Sequence, residues 1–170
     1  MEILRTERLA LREVTRDDAP FILELLNTPK FIKYIGDRGV RDLGDAVKYI
    51  DERYLASYTE NGYGLYGVIE LASGKLIGAC GFVRRPSLPG PDIGFSLLPE
   101  YEGKGYGFES ASAVMEYGRD QFGFDRLLAI TSLDNDASGK LLGKLGFTLS
   151  GVEEIGGEQL KIFAWRADLP

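Results

Sequence analysis

The chain has 170 residues, 44% hydrophobic and 27% charged, enough for one domain with a substantial core and ordinary for a globular protein. It has no histidine and one cysteine, Cys80, which excludes histidine acid–base chemistry, most zinc sites, internal disulfides and cysteine-rich metal centres. A net charge of −6 argues against a nucleic-acid surface and favours a cationic partner such as an amine, and no apolar run approaches the length of a membrane span.

Met1 to Arg12 mixes charges into an alternating pattern and does not read as a signal peptide. Leu9 to Val14 alternates as a strand. Thr15, with Asp18 three residues on, predicts the start of a helix from Asp17 to about Leu26, stopped by Asn27, Thr28 and Pro29. Asp42 and Asp45 repeat the cap for a second helix, in which Val47, Ile50, Tyr54 and Tyr58 share a face. Strands are expected at Leu65–Glu70 and Leu76–Val83, turning at Ser73 and Gly74, then at Asp92–Leu98 after the loop Pro86–Pro91. A helix follows over Gly107–Asp120, then a strand at Leu127–Thr131 and a helix at Ala137–Leu145. The chain closes with strands at Thr148–Ile155 and Gln159–Trp165, joined at Gly156 and Gly157. This order predicts an α+β fold: about seven strands in a mixed sheet with helices on its faces, in one domain spanning 1–170.

The segment with most chemical content is Pro99-Glu-Tyr-Glu-Gly-Lys-Gly-Tyr-Gly107. Gly103, Gly105 and Gly107 let backbone N–H groups converge, and the helix that follows adds unpaired N–H groups and the positive end of its dipole. Together they suit a phosphate, most naturally a pyrophosphate; a flexible turn is the alternative.

With these motifs in this order, nearly the whole chain resembles the GNAT superfamily of acyl-CoA-dependent N-acyltransferases, and within it the ribosomal-protein N-terminal acetyltransferases (RimJ/RimL-like). The resemblance rests on Arg5-Thr-Glu-Arg-Leu-Ala-Leu-Arg12, Ile93-Gly-Phe95, Pro99-Glu-Tyr101, Gly103-Lys-Gly-Tyr-Gly107, Asn135 with Ser138, and Lys144-Leu-Gly-Phe147. It implies an acetyl-CoA-dependent N-acetyltransferase with a splayed, mostly antiparallel sheet, no metal, no nucleic acid or membrane partner, a cytoplasmic location, and compatibility with a homodimer. A non-catalytic acyl-CoA sensor is the alternative.

The resemblance also implies site residues. Gly103, Lys104, Gly105, Tyr106 and Gly107 would hold the pyrophosphate. Backbone N–H groups around Leu97 and Leu98 would meet the thioester carbonyl, and Asn135 and Ser138 would touch CoA. Asp92 would be the base, although an exposed loop-end aspartate is the competing reading; Glu70 and Glu13 are weaker candidates. Ser138 would protonate the leaving thiolate where many relatives use a tyrosine, here near Leu142. Asn135 and Ser138 would equally suit a helix start. Glu102 departs from the Arg or Gln usual at its position, with Lys104 as a partial offset. An α-amine, with a pKa of about 7.7–8.0, is partly neutral at pH 7, whereas a lysine near 10.4 must lose its proton at a cost of roughly 3–5 kcal/mol. That favours a protein N-terminus over a lysine, with small amines also open. Cys80, Phe163 and Trp165 are expected to pack, and Arg84 and Arg85 to form a solvated pair. Tyr54, Tyr58, Tyr63 and Tyr66 are expected to fill core and rim, with the lining of an acceptor pocket as the alternative.

Overall fold

Alternating side chains along Leu9–Glu13 let this strand bury one face while its two edges meet neighbours. In the computed structural model, which describes residues 1–167, it is β2, paired with Glu2–Arg5 (β1) and Leu65–Glu70 (β3). Lys75–Val83 (β4), Asp92–Leu97 (β5), Arg126–Ser132 (β6), Thr148–Ile155 (β7) and Glu158–Arg166 (β8) complete one eight-stranded sheet. Its order is β1-β2-β3-β4-β5-β6-β8-β7, and all pairings are antiparallel except β5–β6. The expected α+β fold is present, with one strand more than expected. The extra strand, β1, is a four-residue edge whose outer residues Glu2 and Arg5 are charged and exposed, so its apolar signal is only Ile3-Leu4.

The helices differ more from expectation. Arg16–Asp18 is a 3₁₀ turn, and the α-helix proper, α1, covers Ala19–Leu26. The Asp18 carboxylate accepts the Thr15 N–H at 2.8 Å and two guanidinium bonds from Arg12. The first helix stops at Leu26 as expected, but Thr28 and Pro29 also begin a new helix, Pro29–Tyr34 (α2): the Thr28 hydroxyl accepts the Phe31 N–H, and proline at the first helical position loses no bond. The single second helix resolves into Leu43–Tyr49 (α3), a π-helical stretch Ile50–Leu55, and Ala56–Asn61 (α4). The Asp42 cap on Asp45 is present at 2.8 Å. Tyr106–Phe122 (α5) and Asp136–Lys144 (α6) complete the set.

Two main cores result. One packs α5 and α6 on the sheet through Leu9, Leu11, Tyr66, Ile77, Phe82, Val114, Leu127 and Phe163, with Cys80 buried among them and its thiol pushed up to about 12 by burial. Trp165 packs against it. The other gathers α1 to α4 around Ile22, Phe31, Ala46, Ile50 and Tyr54 and reaches the sheet at Leu65. Tyr63 joins an aromatic cluster with Phe82, Phe122 and Phe124, and Tyr58 stacks on Tyr66 at 5.8 Å.

The feature that positions the site is the join between β5 and β6. These parallel strands share one paired position, Asp92 with Leu128, beside a bond from the Leu128 N–H to the Pro91 carbonyl. Beyond Asp92, β5 continues paired only with β4, and a gap opens on its other edge. Close backbone contact keeps β3, β4 and β5 together near this opening. A Cβ on Gly81 would lie 2.1 Å from the Gly64 carbonyl oxygen, which accepts the Phe82 N–H. On Gly94, opposite in register, it would meet only side-chain atoms, Leu65 Cδ2 at 3.4 Å and Val83 Cγ2 at 3.8 Å. Gly81→Ala is therefore expected to lower the free energy of unfolding by about 1–3 kcal/mol in urea titrations, while Gly94→Ala stays within about 1 kcal/mol of wild type.

Candidate active site

Backbone groups of β5 point alternately to its two edges. The Leu98 N–H donates to the Ile77 carbonyl of β4 at 2.8 Å, so the Leu97 N–H points the other way, into the gap toward β6. Of the two N–H groups expected to meet a carbonyl, only that of Leu97 is available. Leu98 is 5% exposed and packs with Leu25 and Ala79 instead.

Beyond β5, a 3₁₀ turn over Pro99–Tyr101 leads into the glycine loop. Gly103 and Gly105 adopt φ of +74° and +83°, where side chains are strained, and Gly105 caps α5. Gly107 lies inside the helix with ordinary dihedrals, and a Cβ there would crowd Leu141 at 3.1 Å. Among the described residues, the N–H groups of Gly105, Tyr106, Gly107 and Phe108 meet no acceptor. This row of free donors at a helix N-terminus fits a phosphate group.

The loop's side chains anchor it. Tyr106 is buried, donates its hydroxyl to Glu70 at 2.7 Å, and lies 4.4 Å beneath the Arg8 guanidinium. Arg8 donates to the Lys104 carbonyl at 2.9 Å and to Glu109 at 2.7 Å, and Glu109 also accepts from Thr6. Burial raises the Glu109 carboxyl, but the bonds from Thr6 and Arg8 outweigh this and hold it below the usual range. Glu102 does not sit unbalanced at the loop: its carboxylate pairs with Lys30 of α2. Lys104, expected to offset it, lies over the Tyr101 ring at 5.5 Å.

A cleft of about 410 Å³ runs between the sheet and the helices of the second core. β5 and β6 supply Asp92 to Ser96 and Ala129 to Ser132; Asn135, Ser138 and Leu142 come from the α6 side. The Asn135 side chain accepts the Ser138 N–H at 3.2 Å, so Asn135 caps α6. The Ser138 hydroxyl has no partner among the described residues. Glu70 and Glu13 do not line the cleft; Glu70 is engaged by Tyr106, whose hydrogen bond lowers its carboxyl.

Asp92 is not an exposed loop-end residue: it is 1% exposed and lines the cleft. Arg85 donates its Nε to both carboxylate oxygens, at 3.2 and 3.3 Å. Burial pushes Asp92 up to about 6 against the opposing pull of Arg85. The expected solvated arginine pair holds only for Arg84, which is exposed while donating to the carbonyls of Arg85 and Leu88, each at 2.8 Å; Arg85 is turned onto Asp92. Sequence reasoning missed Arg85 as the partner of Asp92 and, on the helix-side wall of the cleft, Tyr34, Arg38, Tyr49 and Arg53; Tyr54, for which an acceptor pocket was the alternative reading, lies on the same wall. The seven-residue return from Arg85 to Asp92 across the β4–β5 loop was an available signal; the π-helical stretch left none for Arg53.

The acetyltransferase (GNAT) domain profile matches residues 8–148. The chain belongs to the GNAT family of acetyltransferases. It is 32% identical to YoaA of Bacillus subtilis (strain 168), an uncharacterized N-acetyltransferase, over 151 residues covering 88% of this chain and 85% of YoaA. A solved acetyltransferase from Agrobacterium tumefaciens superposes with a TM-score of 0.81 at 26% identity, covering 96% of this chain and 93% of its own. RimL, a ribosomal L7/L12 α-N-protein acetyltransferase solved with coenzyme A, shares the fold at TM-score 0.83 and 20% identity, with 99% of each chain covered. The chain is thus an N-acetyltransferase.

The elevated Asp92 pKa has a thermodynamic consequence. In the unfolded chain this carboxyl titrates near 3.9, so its ionisation opposes folding: the penalty is absent below about pH 4 and complete above about pH 6. Asp92→Asn removes it. The variant is expected to be more stable than wild type by up to about 3 kcal/mol at pH 8, with the difference shrinking as the pH of denaturation is lowered toward 4.

Proposed function

We propose that the protein transfers an acetyl group from acetyl-CoA to a primary amine by direct attack in a ternary complex, with a protein N-terminal α-amine favoured as in the RimJ/RimL-like branch. The carrying observation is the gap beside β5, which opens at Asp92, exposes the Leu97 N–H, and leads to the free N–H groups at the start of α5. Acetyl-CoA supplies an activated acyl carbon, whose bond to sulfur breaks as the acceptor nitrogen bonds to it.

The residues divide the work. The N–H groups from Gly103 through Gly107, with Lys104 and Tyr106 between the glycines, hold the pyrophosphate, and the Lys30–Glu102 pair removes the charge that would oppose it. The Leu97 N–H donates to the thioester carbonyl oxygen, where negative charge develops. Asn135 and Ser138, which line the cleft, touch CoA in this reading, and the Ser138 hydroxyl, which has no partner among the described residues, gives a proton to the departing thiolate. Asp92 takes a proton from the acceptor nitrogen through an intervening water, so that the neutral amine attacks the acyl carbon; the water is needed because the carboxylate itself is almost fully buried. Its pKa of about 6 keeps it ionised at neutral pH yet more basic than an ordinary carboxylate, and closer to an α-amine. No described helix is long and apolar enough to cross a membrane.

Two measurements test this reading. Asp92→Asn is expected to lower kcat by about 10²–10⁴ at pH 7 with CoA affinity little changed; wild-type kcat should rise through pH 6, and the variant should lack that limb. A variant rate within a factor of a few of wild type assigns the proton to another acceptor. Gly105→Val places a branched side chain at a φ of +83° among the free N–H groups, and calorimetry should show CoA binding reduced at least tenfold in a folded protein. Unchanged affinity contradicts the loop assignment.

A further inference from the structure

The charge of the cleft is opposite to that of the chain. Against a net −6, the titratable side chains lining the cleft include Arg38, Arg53 and Arg85 but only Asp92 and Glu158 as carboxylates. Arg85 is committed to Asp92. Arg38, from the loop after α2, and Arg53, from the π-helical stretch, have no carboxylate partner among the described residues. Elsewhere six arginines (Arg5, Arg8, Arg12, Arg16, Arg41 and Arg119) are each paired with an acid. Of the nearby acids, Asp37 binds Arg41 and Asp51 binds Arg16, while Glu52 forms no ion pair among the described residues.

A second observation points into the same wall. Tyr54 is 2% exposed and lines the cleft, yet its hydroxyl has no hydrogen-bond partner among the described residues. Among the described residues, no side-chain oxygen or nitrogen that is fully closed off from solvent lacks a partner, so this hydroxyl is open to the cleft. Its ring meets Tyr49 edge-on at 6.1 Å, and the Arg53 guanidinium stands 6.0 Å from the Tyr49 ring centre, which favours a fixed position for the cation. Two guanidinium groups without a carboxylate partner, with a hydroxyl able to donate beside them, make the helix-side wall cationic and rich in donors. Such a wall disfavours a polyamine and offers an anion matching donors.

We propose that the acceptor amine carries an anionic group, a carboxylate or a phosphate, which Arg38 and Arg53 bind on the helical wall with the Tyr54 hydroxyl as a further donor. This deepens the acetyl-transfer reading and rests on it for the placement of the amine toward Asp92. The net negative charge of the chain therefore misleads about the acceptor, because selectivity is set by the local field of the cleft.

The test uses the full chain, acetyl-CoA and matched acceptors: the dipeptide amide Ala-Glu against Ala-Gln, O-phosphoethanolamine against ethanolamine, and spermidine. In a thiol-release assay at low salt, kcat/KM for the anionic member of at least one pair should exceed its neutral partner by about tenfold or more, with spermidine poorest, and the gap should narrow as salt rises. The pair that discriminates identifies carboxylate or phosphate. In the double variant Arg38→Gln/Arg53→Gln the discrimination should vanish while CoA affinity stays at the wild-type value. Calorimetry on the CoA-loaded protein gives an independent readout: N-acetylated Ala-Glu amide or N-acetyl-phosphoethanolamine should bind about tenfold more tightly to wild type than to the variant. Equal use of both members of each pair, preference for spermidine, or discrimination that survives in the variant overturns the proposal. If no acceptor turns over but the anion-dependent binding difference is present, the anion site stands and acetyl transfer to these amines falls; absence of both overturns the anion site.

Discussion

The structure depends on where two parallel strands stop pairing. β5 and β6 meet at Asp92 and Leu128 and then part, and every other element at the site is placed by that separation. Full pairing of β5 with β4 fixes its alternation, so the Leu98 N–H is consumed by Ile77 and the Leu97 N–H is left toward the gap. A paired β6 would satisfy that donor and close the space. The same strand then delivers the chain to a glycine loop whose free N–H groups open α5. One irregularity in the ladder thus produces a slot lined by backbone donors, without a specialised side chain.

Charge is organised around this slot by pairing acids with nearby bases. Arg8 and Thr6 tie Glu109, in the first turns of α5, to the N-terminal strands, and Lys30 takes Glu102 away from the loop. These ion pairs are largely exposed and contribute little stability individually. Their effect is to leave the helix N-terminus free of competing carboxylates. Asp92 is treated differently. It is buried with a single guanidinium that does not fully offset its desolvation, so its ionised form is held at a cost to stability. A carboxylate kept destabilised at the point where the strands diverge is what the proposed base role requires.

Much of the fold was legible because it is local. Alternation marked the central strands, Asp42 and Thr15 marked helix starts, and Gly103-Lys-Gly-Tyr-Gly107 marked the loop. What was hidden depends on distant partners or on subtle backbone geometry. Glu102 reads as a misplaced charge until Lys30, 72 positions earlier, is brought beside it. Arg85 reads as solvent-facing until the β4–β5 loop folds it onto Asp92. Pro29 reads as a terminator although it is equally suited to open a helix, and the preceding threonine decides between the two. The π-helical widening over Ile50–Leu55 keeps the same apolar spacing as an α-helix, so nothing in the pattern of Val47, Ile50, Tyr54 and Tyr58 announces that Arg53 will face a cleft.

The central claim is that the donors in the β5 gap and at the start of α5 receive the acyl-CoA, and amide chemical shifts test it at the atoms concerned. In a ¹⁵N–¹H titration of the protein with acetyl-CoA, the largest changes should fall on Leu97 and on Gly105, Tyr106, Gly107 and Phe108, with Leu98 changing less because its N–H remains bonded to Ile77. Saturable binding that leaves those five amides unmoved would contradict the account.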